Sequence, residues 1–262
     1  MIHTAAHEGA VALVTGSARR VGAAIAATLA RAGVRVWLHH HRSPDEAAAL
    51  AQTLRHELGD DAVVGVLTAD LADTTARAQL AAQVTAVDGP AGGRLELLVN
   101  NAASFEHGAF LERDDDDLRR VLETNLVAPL SLARALAPAL SRSGGSIVNI
   151  VDVAGIHPLR GHLDHGVAKA GLDFATAALA IELAPVRVNA IAPGTVAWPT
   201  DARHGPGSPV RDGVLRQIPL GRIGDAQDVA DAVLYLARSG FVNGTRLIVD
   251  GGRIAALGAD RS

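Results

Sequence analysis

Short apolar and β-branched runs recur along the chain at Ala10 to Thr15, Val34 to Leu38, Val63 to Thr68, Leu95 to Val99, Ser146 to Val151, Val186 to Ile191 and Thr245 to Val249. Between them lie stretches with apolar residues at helical spacing, among them Val21 to Ala32, Asp45 to Leu58, Thr74 to Val87, Asp115 to Leu140 and Gly166 to Leu183. This alternation predicts βαβ units, and therefore a parallel sheet. Right-handed crossovers then put helices on both faces, giving a doubly wound α/β fold with seven strands.

The connecting segments refine that picture. Gly89-Pro90-Ala91-Gly92-Gly93 reads as a turn before a strand, and Asp114 to Asp117 can supply a helix N-cap and an acidic first turn. Thr195 to Pro219 is rich in Gly and Pro, has no clear period and is long for a loop, which suits a segment that covers a site. No linker or repeat divides residues 1–262, and 48% apolar content in 262 residues is enough for one sizeable core.

The formal net charge is -4 and no run of Lys or Arg could follow a nucleic-acid backbone, so nucleic acid is not an expected partner. Cysteine is absent, which excludes disulfides, thiolate metal sites and thiol nucleophiles. Met1 to Gly9 has no basic segment leading into a long apolar one, and nothing approaches the ~20 apolar residues of a membrane helix. A cytoplasmic location with no membrane contact is the expectation.

Chemistry enters at the strand ends. The first strand runs into Thr15-Gly16-Ser17-Ala18-Arg19-Arg20-Val21-Gly22, where a helix opens. Glycines let backbone approach a pyrophosphate, whose charge the helix N-terminus favours; an ordinary tight turn would also read this way. The second strand ends in His39-His40-His41-Arg42-Ser43, where an adenosine ribose would lie in a Rossmann-like domain. An acidic residue there would select NAD, whereas a basic and hydroxyl-bearing cluster suits the 2′-phosphate of NADP. Successive histidines of a strand face opposite sides, so these cannot all ligate one metal. The third strand ends at Asp70-Leu71 and the fourth runs into Asn100-Asn101-Ala102.

Farther on, Asp152 follows the fifth strand, and His165-Gly166-Val167-Ala168-Lys169 heads an Ala-rich helix. At that spacing Asp152, His165 and Lys169 can converge on one point, which suggests proton transfer, although Asp152 could equally cap the helix that follows it. His157, His162, Asp164 and His165 have metal-ligand chemistry but no recognised ligand interval, so no metal is expected.

Taken in order, the Thr15-Gly16 turn, Asp70, Asn100-Asn101-Ala102, Asn125, the Asp152 and His165 to Lys169 spacing, Pro193-Gly194 and Val249-Asp250-Gly251-Gly252 resemble the short-chain dehydrogenase/reductase family over nearly the whole chain. Within it, Arg20 in place of the usual glycine, the His39 to Ser43 cluster, Asp152 in place of serine, and Asn101-Ala102-Ala103-Ser104-Phe105 resemble the NADPH-dependent pteridine reductases. The resemblance implies that Gly16, Arg19, Arg20, Val21 and Gly22 form the phosphate turn and that His41, Arg42 and Ser43 meet the 2′-phosphate. Asp70 and Leu71 would lie at adenine, Asn101, Ala102 and Lys169 at the ribose, and Pro193, Gly194 and Thr195 at the carboxamide. Asn125 would support a water beside Lys169, or pack between helices. Phe105 would stack on a pterin or anchor its loop, and Trp198 would cover the substrate or anchor its own. Family members often pair through the helices around Asp115 to Leu140 and Gly166 to Leu183, so a homo-oligomer, dimer or tetramer, is implied.

The departures are Ala103, commonly serine in pteridine reductases, and His165, which stands where the family has its tyrosine proton donor. An imidazolium, with an unperturbed pKa of about 6.5 against about 10 for tyrosine, is the stronger acid. A cationic Lys169 opposes that charge and Asp152 favours it. The expected activity is NADPH-dependent reduction of a dihydropterin, with Asp152 and His165 delivering the proton. A carbonyl or alcohol substrate, and a non-catalytic dinucleotide-binding protein, are the alternatives.

Overall fold

The computed structural model describes residues 9–198, 205 and 207–257. In chain order they form β1 (Val11–Val14), α1 (Arg20–Arg31), β2 (Arg35–His40), α2 (Pro44–Leu58), β3 (Val63–Thr68), α3 (Thr74–Thr85), β4 (Leu97–Asn100), α4 (Asp115–Leu122), α5 (Ala128–Ser143), β5 (Ser146–Ile150), α6 (Leu163–Glu182), β6 (Arg187–Pro193), α7 (Pro209–Arg216), α8 (Ala226–Arg238) and β7 (Arg246–Val249). Each predicted strand is present. All pair in parallel in one seven-stranded sheet of order β3-β2-β1-β4-β5-β6-β7.

Period-two alternation divides the sheet residues between two layers. Ala12, Val14, Val36, Leu38, Val99 and Val148 face Ile25 and Leu29 of α1 and Val229, Val233 and Leu236 of α8. Val11, Leu13, Leu98 and Ile147 face Leu80 of α3 and Leu132, Leu136 and Leu140 of α5. Leu13 and Leu38 are fully buried; burying such a side chain contributes roughly 2 kcal/mol, so a polar residue here would break the layer.

Asp115 to Leu140 is helical throughout, as its spacing predicts, with a π-helical turn at Glu123–Val127 between α4 and α5 that carries Asn125. Such turns project side chains off the regular register, which apolar spacing does not reveal. The Thr195 to Pro219 segment, read as loop, contains α7, whose Ser208 side chain accepts from Arg211 N while Pro209 occupies the first turn; Pro199 to His204 and Pro206 lie outside the described residues. The helical stretches picked out by spacing also omit α8, although Asp225 and Asp228 form a reciprocal capping box at its start.

β1 lies between β2 and β4, so chain order reverses there. Open α/β sheets bind ligands outside the strand carboxyl ends at such a switch point. Thr15, Asn101, Asp152 and Gly194, each just beyond a strand, are brought to that edge.

Candidate active site

The turn after β1 is built from exact satisfaction of hydrogen bonds. The buried Thr15 hydroxyl donates to Val99 O at 3.2 Å and accepts from the backbone N–H groups of Asn101 and Ala102 at 2.9 and 3.0 Å. Asn101 Nδ2 donates back to Thr15 O and Gly16 O. Gly16 has φ +64°, and a Cβ there would come within 2.9 Å of Ala102 Cα. A Cβ on Gly22 would stand 2.1 Å from Gly16 O, so the head of α1 rests directly on the turn. A glycine cradle at a helix N-terminus fits a dinucleotide pyrophosphate.

The histidine run divides as alternation requires. His39 is buried; its Nδ1 accepts from Gly16 N at 2.9 Å, so Nε2 carries the proton toward Ala69 O at 3.2 Å. Burial lowers its pKa to about 4, against the opposing hydrogen bond to Ala69 and with help from His40 and His41. His39 is therefore a neutral brace for the phosphate turn, a role the sequence did not disclose. His40 is buried against Thr68 Oγ1 at 2.9 Å. His41 and Arg42 are exposed, with His41 at 3.7 Å from Asp70, and Ser43 is the N-cap residue of α2. Arg19 reaches Glu46 at 3.3 Å, while Arg20 is exposed and held at φ +54°. A non-glycine residue in that region carries strain of order 1 kcal/mol. Asp70 turns the chain by accepting from Ala72 N, and Leu71 is buried with its carbonyl on Arg77.

Asp152, His165 and Lys169 do converge. Asp152 Oδ1 accepts from Ala154 N at 2.7 Å, which makes it a cap, and its Oδ2 lies 3.3 Å from His165 Nε2. Oδ1 meets the capping reading of Asp152, and Oδ2 is left facing the imidazole. Lys169 is buried and donates to Ile150 O at 2.7 Å; burial lowers its pKa to about 8, with the Asp152 charge opposing. No direct hydrogen bond joins Asn125 to Lys169. Its amide closes on Ser104, accepting from N and donating to O, each at 2.8 Å, which pins the loop after β4.

The protonation of His165 follows from its neighbours. Nδ1 lies 3.1 Å from Ser104 O, a pure acceptor, so Nδ1 bears a proton. Asn125 Nδ2 at 3.4 Å then faces an N–H rather than a lone pair, and its hydrogen bond is the one to Ser104 O. With Nδ1 protonated, Nε2 and the Asp152 carboxylate would oppose each other as bare acceptors unless a proton lies between them. A proton shared by Nε2 and Asp152 Oδ2 across 3.3 Å would relieve that opposition.

The loop that presents Ser104 is tied back to the head of α6. Ser104 Oγ and Arg120 donate to Glu106, whose pKa these and Arg113 lower. Arg113 lies 3.2 Å from Glu106 and 2.6 Å from Asp164, the residue before His165. That last N–H is not aimed at the oxygen, so the contact is an ion pair rather than a hydrogen bond. Phe105 stacks on His162 with centroids 4.2 Å apart and meets His165 edge-on at 4.7 Å. At 55% exposure the ring still presents apolar surface. His162 hydrogen-bonds Glu106 O, and burial lowers its pKa. Glu106 and Arg113 carry no periodic signature and were not anticipated here, and His162 and Asp164 were weighed only as metal ligands.

Beyond β6, Gly194 N donates to Val249 O, and a Cβ on it would collide with Asp250. Thr195 Oγ1 is 3.3 Å from Arg253, and Trp198 lies under Arg211 of α7 at 4.7 Å. Among the described residues no helix is long and apolar enough to cross a membrane, and no group of His, Asp and Glu is arranged to hold a metal.

A protein-family model described as Enoyl-(Acyl carrier protein) reductase matches residues 16–253. Trans-4-hydroxycyclohexanecarboxylate dehydrogenase of Sinomonas cyclohexanicum is 35% identical over 253 residues, covering 94% of this chain and 93% of the relative. Pteridine reductase 1 of Leishmania tarentolae is 33% identical, covering 92% and 95%, and 3-oxoacyl-(acyl-carrier-protein) reductase FabG of Escherichia coli is 32% identical, covering 94% and 97%. A crystal structure of a candidate short-chain alcohol dehydrogenase from Sinorhizobium meliloti superposes with a TM-score of 0.86 at 28% identity, covering 96% of this chain and 99% of that one.

Proposed function

From the premise that the chain belongs to the short-chain dehydrogenase/reductase family of nicotinamide-dependent oxidoreductases, we propose that it is an NADPH-dependent reductase of a pterin-type substrate. The observation that carries this reading is the 3.3 Å contact of His165 Nε2 with Asp152 Oδ2 beside the open ring of Phe105. Phe105 is the platform for a flat heteroaromatic ring, and the similarity to pteridine reductase 1 of Leishmania tarentolae supports that substrate class. Arg20, Arg42, His41 and Ser43 would hold the 2′-phosphate, and no acidic side chain among Arg35–Ser43 would compete for it. Gly16, Val21 and Gly22 would admit the pyrophosphate, Asp70 and Leu71 would border adenine, and Asn101, Ala102 and Lys169 would border the ribose. Pro193, Gly194 and Thr195 would border the carboxamide.

When bound, the nicotinamide supplies the hydride. The residues would deliver the proton: His165 Nε2, 3.3 Å from Asp152 Oδ2, would donate it, and Ser104 O, 3.1 Å from Nδ1, would keep the other nitrogen protonated. After transfer, Asp152, 26% exposed on its side chain, returns a proton from water to the pair. A C=N bond reduced this way ends in a basic nitrogen, a less demanding acceptor than the alkoxide left by a ketone.

The relatives that act on hydroxy or oxo compounds favour a second reading, with a carbonyl or alcohol substrate. One panel separates the two. Thermal-shift titration with NADPH and NADH, followed by turnover on dihydrobiopterin, dihydrofolate and simple ketones, is expected to show NADPH preference and dihydropterin reduction. Preference for NADH, or turnover of ketones alone, would overturn the corresponding part. Cofactor binding without any turnover would mark a non-catalytic protein.

A further inference from the structure

Arg253 lies half-buried just past β7, and its hydrogen bonds all go to neutral groups. Nε and Nη2 both donate to Gln217 Oε1, at 3.1 and 2.6 Å, and Nη1 donates to Thr195 Oγ1 at 3.3 Å. The nearby Asp250 carboxylate is occupied by the N–H groups of Gly252 and Ile254 at 2.8 and 2.7 Å. No ion pair among the described residues includes Arg253. A guanidinium offers five N–H donors in a planar fork that matches two oxygens side by side, and Gln217 supplies one oxygen.

Its position gives that unmatched fork a use. Ile254, next in sequence, packs on the cluster of Val151 and Val153 that flanks Asp152. Gly251 and Gly252 rest on Ile218 and Pro219 at the exit of α7. Thr195 follows Pro193-Gly194, the segment assigned above to the nicotinamide end. Arg253 thus lies between the Val151 and Val153 cluster beside Asp152 and the exit of α7.

We propose that Arg253, with Thr195, forms an anion subsite that takes a carboxylate on the substrate, at the end of the cleft remote from the adenosine. This rests on the reading of the cleft as a reductase site and narrows its substrate class to carboxylate-bearing molecules. Gln217 holds the guanidinium in place until the two carboxylate oxygens replace its single amide oxygen.

The test compares wild type, Arg253→Gln and Arg253→Lys. Turnover of dihydrofolate, which carries carboxylates, is measured against dihydrobiopterin, which carries none. In Arg253→Gln the ratio of their kcat/KM values is expected to fall at least about ten-fold, the low end for hydrogen bonds to charged groups, with partial recovery in Arg253→Lys. An unchanged ratio overturns the subsite. If no pterin is turned over, the pterin reading fails, and the subsite is judged by ligand-observed NMR. Cyclohexanecarboxylate and cyclohexanecarboxamide are then titrated into the NADP-loaded protein. Wild type is expected to prefer the carboxylate and Arg253→Gln to lose that preference; equal binding of acid and amide to wild type overturns the proposal. A loss of NADPH affinity in Arg253→Gln without a change in either preference would put the guanidinium on the cofactor, which also overturns it. Melting temperatures of the variants check that each is folded.

Discussion

Acid should loosen the phosphate turn through one residue, His39. In the folded chain this histidine stays neutral down to about pH 4, because burial disfavours the imidazolium and its Nδ1 lone pair is held by Gly16 N–H. In the unfolded chain it titrates near the ordinary value of about 6.5. Between those values the unfolded chain takes up a proton that the folded chain refuses, so the stability contribution is complete above pH 6.5 and is lost as pH falls toward 4. A displacement of about 2.5 pKa units corresponds to a limiting loss of roughly 3 kcal/mol, of which about 2 kcal/mol is gone by pH 5. Urea unfolding of wild type and His39→Gln at pH 7.5 and pH 5 reads this directly. Wild type is expected to lose about 2 kcal/mol more than the variant between those conditions, since other groups, His162 included, titrate in both. Equal losses would refute the brace, and the inferred tautomer with it.

Other outcomes follow from the same geometry. His165→Phe removes the proposed proton donor and is expected to lower NADPH-dependent turnover at least about ten-fold with cofactor affinity little changed, measured by steady-state kinetics and thermal shift; unchanged turnover would remove His165 from the mechanism. Arg113→Met leaves Asp164 buried without its cation and is expected to cost about 3 kcal/mol in denaturant unfolding, whereas Arg113→Met combined with Asp164→Asn should recover most of it. Equal stabilities of the single and double variants would show that the pair does not couple the loop to α6. Arg20→Gly relieves a left-handed non-glycine conformation, so the fold is expected to be no less stable while NADPH binding weakens roughly ten-fold and NADH binding does not. Lys169, whose pKa is lowered to about 8, makes the protein gain stability as pH rises from about 8 toward 10.5, where only the unfolded chain keeps the proton; Lys169→Met should flatten that rise in unfolding experiments.

The strands were legible because burial on both faces leaves β-branched runs that nothing else in the chain imitates. Val63 to Thr68 matches its strand end to end, whereas Val34 to Leu38 extends to His40 because buried histidines do not read as strand. The π-turn inside the Asp115 to Leu140 helix was invisible for a physical reason. A π-turn keeps apolar residues on the inner face while shifting one polar side chain, and the partner that fixes Asn125 is a backbone amide and carbonyl at Ser104, which no spacing encodes. Asp152, His165 and Lys169 were legible because i, i+4 spacing on a helix and a strand end leave little freedom. The contacts that orient them were not, since Glu106, Arg113 and Asp164 meet only after the loop beyond β4 has folded onto α6.

On the proposed reading of His165 as the proton donor, whether it is a degraded or an adapted substitute for tyrosine turns on its second nitrogen. A tyrosine presents one polar atom and needs one partner to orient it, whereas an imidazole has two and delivers a proton from Nε2 reliably only if Nδ1 is fixed. Ser104 O fixes it, Asn125 holds Ser104 on both its backbone groups, and Ser104 Oγ, Glu106, Arg113 and Asp164 lead back to the residue before His165. None of that closed path is required by a phenol. In His165→Tyr the Ser104 carbonyl loses its N–H, and a longer side chain must fit between Asp152 and the edge of Phe105, which already meets the imidazole at 4.7 Å. The His165→Tyr variant is therefore expected to have turnover at or below that of wild type. A rise in kcat for His165→Tyr would show that the path around the imidazole is incidental and that the site is merely degraded.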